Sequence, residues 1–493
     1  LNYPGGDSRI NKPMTKNKFF PTGIIFAGSF LFFFFLPHIF YLRFKPSWEP
    51  FIMMWLNVWG AHYNFLIETP KPLMAFLSAI LPQKFLYLFL PLFCALWCTV
   101  LVELSKEITG KRIFGLFAVF FCFFCNAEII AAVFSGEWTV IYPPLVFFAL
   151  LFFMRQKYFL SSLIMLFAGL LRPESWLYSA FFLIWMKSQK KHLKPLYFIS
   201  LLAPFLWALF DWRLSGDWFY SYHATARHAA VSGFPVTTFF NFWPAVARNT
   251  FLLYNRVILS CGIIFVLMDL LRSYKKQGEK HGNLMMVMVI LPFLFYWALS
   301  LKGSIVVYPR FFAFSYAVIY FCAVLLPWLI FKERKILTIF FLVLLALVSF
   351  SRDNLGFAVT KRIYDDKIDK TSRELGDFLQ GYLANHKVTG RVLAGNNAWY
   401  FSLRLGEEFS QKIIMFREAG TYPELLKEIP PGLAVYQKWG EAGAGEKFDF
   451  LRRPRKFVVK NKYIFNPLFV TGDKCGIVYE VFLKAADNKL ASQ

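Results

Sequence analysis

Apolar residues in this chain come in blocks long enough to cross a bilayer, and the connections between blocks alternate between strongly basic and poor in lysine. That pattern constrains the fold more than any single motif. A helix crossing the hydrocarbon layer needs roughly 20 mostly apolar residues. Such blocks lie at 20–42, 85–104, 113–134, 138–154, 158–171, 175–186, 194–210, 251–271, 284–301, 311–331 and 335–350. Hydrophobic residues make up 57% of the 493 and charged residues 17%, where a soluble domain carries about 25% charge. Disorder, a collagen-like fibre and an ordinary cytosolic enzyme are excluded. A polytopic α-helical membrane protein with about eleven transmembrane helices is the expected fold.

Charge sets the expected orientation. The 54 Lys and Arg against 30 Asp and Glu give a formal net charge of +24. Most of the excess sits beside the apolar blocks: Lys106, Lys111 and Arg112; Arg155 and Lys157; Lys187, Lys190, Lys191 and Lys194; Arg272, Lys275, Lys276 and Lys280; Lys332, Arg334 and Lys335. These clusters share one side if every block spans, and the basic segment before residue 20 joins them. By the positive-inside rule that side, with the N-terminus, is cytoplasmic. The charge therefore points to membrane lipid and not to nucleic acid. No cleavage site follows the first block, which reads as an uncleaved anchor. Blocks 158–171 and 175–186 are short, and they read as two helices meeting at Arg172-Pro173-Glu174, where proline favours a break.

Six of the seven cysteines lie in apolar runs, and Cys475 has no local partner. They read as buried thiols and give no disulfide framework.

Three segments on the outer side are long. Residues 43–84 read as two interfacial amphipathic helices, with Trp48, Trp55 and Trp59 at headgroup level. Residues 211–250 form a second outer segment. The third, 351–493, turns polar and lacks a spanning block. Short apolar runs at 391–395, 412–416, 432–437 and 456–461 read as strands, and 371–386 and 421–428 as helices. Their alternation predicts a small α/β domain outside the cytoplasm. The chain thus divides into a transmembrane domain, 1–350, and an extracytoplasmic domain, 351–493.

Ionisable groups near a membrane surface mark candidate chemistry. Glu49 follows the first block in a Trp-flanked loop, where partial burial makes a carboxylate a better base. The alternative is a loop charge facing water. Lys71 is held between Pro70 and Pro72, and a fixed ammonium at this level suits a phosphate; an ordinary snorkelling lysine would look similar. Glu137, Arg172 and Glu174 sit on short outer connections and so share one plane. Arg172 either pairs with a carboxylate or meets substrate. Arg310, at the outer start of a block, is a second candidate phosphate ligand. His223, Arg227 and His228 fall on a helical spacing. With Asp217 or Glu68 they leave a divalent metal open as a cofactor, although the spacing does not identify one.

Together these features resemble the GT-C glycosyltransferases. The resemblance rests on PSWEPF around Glu49, TPKPLMAFL around Lys71, SGEW around Glu137, GLLRPESW around Arg172-Pro173-Glu174 and YPRFF around Arg310, in that order on one topological side. It covers about 1–350, with 351–493 as a common appendage. It is similar to bacterial members such as aminoarabinose and protein mannosyl transferases. The resemblance implies a bacterial inner-membrane enzyme that moves a sugar from a polyprenyl-phosphate carrier to an acceptor on the outer face, with inversion. It assigns Glu49 as general base and Lys71 to the carrier phosphate, with Arg172 and Arg310 beside it. Glu68, Glu137, Glu174 and His223 are supporting residues. The first-loop pair is more often Asp-Glu in the family, where Trp48 precedes a lone Glu here. A lipid-linked-sugar transporter or a non-catalytic assembly subunit using 351–493 to dock a partner are the competing classes.

Overall fold

The computed structural model of the chain describes residues 20–39, 71–80, 83–135, 140–189, 191–231, 237–275, 281–301, 307, 309–331, 334–350, 370–386, 392–394, 413–415, 432–437, 454–459 and 463–483. Glu49, Glu68 and Glu137, and the helix expected at 421–428, lie outside the described residues. The helices are α1 (Phe20–Ile39), α2 (Pro72–Ile80), α3 (Gln83–Thr109), α4 (Ile113–Phe124), α5 (Ala127–Ser135), α6 (Tyr142–Met154), α7 (Tyr158–Gly169) and α8 (Glu174–Ser188). They continue with α9 (Leu202–Ser215), α10 (Tyr220–Val231), α11 (Phe242–Leu253), α12 (Arg256–Lys275), α13 (His281–Ser300), α14 (Ala313–Phe331) and α15 (Lys335–Ser349). Among the described residues four helical stretches are long and apolar enough to cross a membrane: Leu88–Thr109, Pro195–Arg213, Asn283–Ser300 and Ala313–Phe331. Large apolar side chains face outward, among them Ile336 at 84% exposure and Leu347 at 73%. A surface of this kind belongs in lipid, since soluble proteins rarely leave such patches open.

Local chemistry sets the helix ends. Pro72 opens α2 and Pro143-Pro144 opens α6, where a missing N–H costs nothing. The block expected at 113–134 is two helices. The Asn126 Oδ1 accepts the Ile129 N–H at 3.1 Å and caps α5, so the chain breaks after Phe124. The block expected at 251–271 begins at Arg256, because the Asn255 Oδ1 accepts the N–H groups of Val257 and Ile258. The block expected from 194 starts as a 3-10 turn, Pro195–Leu201, and continues as α9 to Ser215. There Gly216 takes φ +75°, the left-handed geometry that ends a helix.

Apolar faces give helices little reason to associate in lipid, so close packing has to supply it. Glycines provide the approach. A Cβ on Gly115 of α4 would lie 2.3 Å from the Val102 Cα of α3, and one on Gly262 of α12 would lie 2.2 Å from the Ile319 carbonyl of α14. Trp97, Phe121 and Phe123 fill the buried centre nearby.

Polar ties gather the helix ends into two sets. At one, the Glu103 carboxylate of α3 accepts from the Thr22 hydroxyl of α1 at 2.9 Å, from Arg112 before α4 at 3.0 Å and from Arg155 after α6 at 3.1 Å. At the other, Arg172 before α8 reaches Tyr296 of α13 and the turn before α14.

The C-terminal residues form a six-stranded sheet in the order β2-β1-β3-β6-β5-β4. The strands are β1 (Val392–Ala394), β2 (Ile413–Met415), β3 (Gly432–Gln437), β4 (Phe457–Val459), β5 (Tyr463–Val470) and β6 (Gly476–Leu483). β1 pairs parallel with β2 and β3, while β3, β6, β5 and β4 run antiparallel. β5 and β6, the two longest strands, were not among the runs expected from sequence. Pro467, Asn466 and Gly476 interrupt the apolar alternation, and register shifts between Pro467 and Phe469. Helix 370–385 packs Leu375, Leu379 and Leu383 on Val435 and Val478 of the sheet.

Candidate functional site

The turn between α7 and α8 carries Arg172-Pro173-Glu174. Pro173 caps α8 and Glu174 enters its first turn, where the helix dipole favours a carboxylate. Arg172 and Glu174 are 2% and 1% exposed. The Arg172 Nε contacts the Glu174 Oε1 directly. The Arg172 Nη2 donates to the Tyr296 hydroxyl at 2.9 Å and to the Phe311 carbonyl at 3.1 Å. The Tyr296 hydroxyl in turn donates to the Glu174 Oε2 at 3.1 Å. The guanidinium carbon lies 5.2 Å from the Tyr142 ring centroid and 5.9 Å from that of Phe311, within cation–π reach. Burial works against the Arg172 charge, but the Glu174 carboxylate and the phenol of Tyr296 outweigh it, so its pKa is raised and it stays protonated. Of the two roles open to Arg172 in the sequence, carboxylate pairing is the one these contacts occupy.

Lys71 stands immediately before α2. The Leu73 N–H donates to the Leu170 carbonyl at 3.2 Å and pins the start of α2 against the end of α7. Lys71 thereby lies within electrostatic reach of Glu174. The turn Pro309–Phe312 carries Arg310. Its Phe311 carbonyl is the one Arg172 holds, and the Phe311 ring stacks on Tyr296 at 4.7 Å. Three of the sequence elements, Lys71-Pro72, Arg172-Pro173-Glu174 and Pro309-Arg310, thus meet at one end of the helices.

Glu128, in the first turn of α5, also reaches this region. It and Arg172 both act electrostatically on Tyr254. Tyr142, Tyr254 and Tyr296 carried no signal in the sequence, because a tyrosine inside an apolar run is ordinary membrane packing until its neighbours are known. His223 is placed elsewhere. Its Nδ1 lies 2.6 Å from the Asp217 Oδ2 at the exposed start of α10. Among the described residues no group of three His, Cys, Asp or Glu side chains could hold a metal ion.

Pro173 also lines an apolar cavity of about 370 Å³ between α8, α9, α10 and α13, with Asp211 in its wall. The cluster as a whole offers the Lys71 ammonium beside a buried, charge-balanced Arg172–Glu174 pair.

No protein-family model matches the chain, and a search of curated proteins finds no relative.

Proposed function

We propose that this protein is an inverting, GT-C-like glycosyltransferase of a bacterial inner membrane. It moves a sugar from a polyprenyl-phosphate carrier to an acceptor on the outer face. One observation carries the reading: positions 71, 172–174 and 309–311, far apart in sequence, are tied together by the Leu73–Leu170 and Arg172–Phe311 hydrogen bonds.

About eleven crossings are part of the proposal. α1, α3, α4 together with α5, α6, α7, α8, α9, α12, α13, α14 and α15 would make them, and the separation of Glu103 with its arginines from Lys71 and Arg172 supports the alternation. The basic end would face the cytoplasm, together with the N-terminus. Residues 351–493 would lie outside and guide the acceptor or a partner protein.

In this mechanism Glu49 takes the proton of the acceptor hydroxyl as its oxygen attacks the anomeric carbon. The bond from that carbon to the phosphate oxygen breaks, and the oxygen leaves with the electron pair. Lys71, with Arg310, stabilises the charge that grows on the phosphate. Arg172 is a positioning residue, since it holds the carbonyl beside Arg310. Displacement from the opposite face inverts the anomeric centre.

The test is transfer from a labelled polyprenyl-phosphate sugar by the purified chain in bilayers. Glu49→Gln is expected to slow it by about 100-fold or more. Unchanged transfer by that variant removes Glu49 from the role of base. Passage of intact labelled lipid across the bilayer, with no bond broken, favours a transporter and overturns the enzyme.

A further inference from the structure

The cavity beside Pro173 has walls of unusual chemistry. Six aromatic side chains line it: Trp176, Trp207, Trp218, Phe219, Tyr222 and Phe295. Three donors around the space are already committed. The Trp176 indole N–H donates to the Gly169 carbonyl at 3.0 Å, and that of Trp207 to the Ser221 hydroxyl at 2.9 Å. The Thr225 hydroxyl donates to the Ser221 carbonyl at 2.8 Å. These two indoles therefore turn ring carbon, and not N–H, toward the space.

Asp211 in the wall is 2% exposed. Its Oδ2 accepts the Ser221 N–H at 2.8 Å and its Oδ1 accepts the Ser221 hydroxyl at 2.6 Å. Two accepting oxygens are the pattern of an ionised carboxylate. Among the described residues no Lys or Arg forms an ion pair with it, and the charge it feels most is a second carboxylate, Asp217. A buried anion without a cation is expensive.

We infer that this cavity binds an amphiphile bearing an organic ammonium group, with the cation held by the aromatic faces and drawn through space by the charge of Asp211 behind them. Ring faces attract a cation through their quadrupole, most strongly where water is excluded. The ligand's ammonium supplies the counter-charge that Asp211 lacks when the cavity is empty. A neutral hydrocarbon would leave Asp211 buried against an apolar ligand. An anion would meet that carboxylate and find the Trp176 and Trp207 N–H groups taken. The walls also say where the ligand comes from. α9 and α13 contribute to two of the stretches able to cross a membrane, and Phe205, Trp212 and Phe219 face outward from this region. The ligand enters from the bilayer, and its apolar part fills the remaining volume. This inference stands apart from sugar transfer, because it uses none of Glu49, Lys71 or Arg310.

The test measures binding to the purified full chain in an uncharged detergent, by tryptophan fluorescence and by calorimetry. Hexyltrimethylammonium is the probe, compared with 1-hexanol, hexanoate and tetramethylammonium. The cationic amphiphile is expected to bind at least about tenfold more tightly than each of the three. Asp211→Asn and Trp218→Leu are each expected to weaken it several-fold or more. If Asp211→Asn yields no folded protein, Trp218→Leu carries the test, because that side chain is 45% exposed. Equal binding of 1-hexanol removes the cation from the inference, and equal binding of tetramethylammonium removes the amphiphile. Unchanged affinity in the folded variants overturns the site.

Discussion

The Leu73 N–H donates to the carbonyl of Leu170 across 3.2 Å, joining the first turn of α2 to the residue that ends α7. Both groups are orphans of their own helices, since a helix leaves its first N–H groups and last carbonyls unpaired. Each supplies what the other lacks, and the bond sets Lys71 beside Arg172-Pro173-Glu174. Measurable consequences come from this junction and from the other polar ties.

Lys71 supplies the charge at this junction. Lys71→Ala should weaken binding of a polyprenyl phosphate to the purified chain by roughly tenfold or more, while Lys71→Arg should recover part of it. Thermal unfolding should barely change in Lys71→Arg, because the Leu73 backbone bond does not use the side chain and the charge near Glu174 is kept.

The Arg172–Glu174 pair should behave as a buried unit. Removing one partner leaves the other charge stranded, so Arg172→Ala should destabilise the fold by about 3–5 kcal/mol. Glu174→Gln keeps the shape but strands the guanidinium, and it should also lower the unfolding midpoint. Replacing both by leucine should cost less than the two single changes together. A double-mutant cycle in unfolding experiments checks this coupling.

Glu103 joins α1, α3, α4 and α6 through Thr22, Arg112 and Arg155. Glu103→Ala should therefore cost about 2–3 kcal/mol, more than a single hydrogen bond. Glu107→Ala, which removes only the tie to Arg155, should cost less than about 1 kcal/mol. Denaturant unfolding of the three proteins gives the order directly.

Helix contact at Gly262 admits no side chain. Gly262→Ala forces α12 away from the Ile319 carbonyl, and a loss of about 1–3 kcal/mol is expected. Gly28→Ala is the control, since nothing lies within 4 Å of its added Cβ. Their unfolding midpoints should separate clearly.

In the tail, Asp473 ties the turn between β5 and β6 to helix 370–385. Burial alone would raise its pKa. The Thr371 and Thr471 hydroxyls, the Cys475 N–H and the Lys370 charge outweigh that and hold it below the usual carboxylate range. A lowered folded-state pKa gives stability that is present in full above the unfolded value of about 3.9 and is lost as pH falls through the folded value. Amide protection at Cys475 and Gly476, corrected for intrinsic exchange, should drop below about pH 4. Asp473→Asn should have the lower protection already at neutral pH and lose this pH dependence.

Much of the helical layout was legible because lipid imposes a simple rule of length and apolarity. The breaks at Asn126 and Asn255 were not, because a capping asparagine inside an apolar run is a small polar signal whose effect depends on φ and ψ. Lys71, Arg172 and Glu174 stood out as charges in apolar surroundings, and they do meet. Tyr296 did not stand out, because it passes for packing in an apolar run. Asp211 reads in the sequence as one of a few outer-face carboxylates at the start of an outer segment, although α9 continues four residues past it. Strand β5 was missed because Asn466 and Pro467 lie inside it.

The most direct measurement of the central claim is a density map of the purified chain with polyprenyl phosphate bound in a bilayer disc. The account predicts the phosphate about 3 Å from the Lys71 Nζ, beside the turn carrying Arg310. It also predicts the Glu49 carboxylate facing the same space. A phosphate bound at the opposite end of the helices, near Glu103, would contradict the account, as would Glu49 and Lys71 facing opposite surfaces of the bilayer.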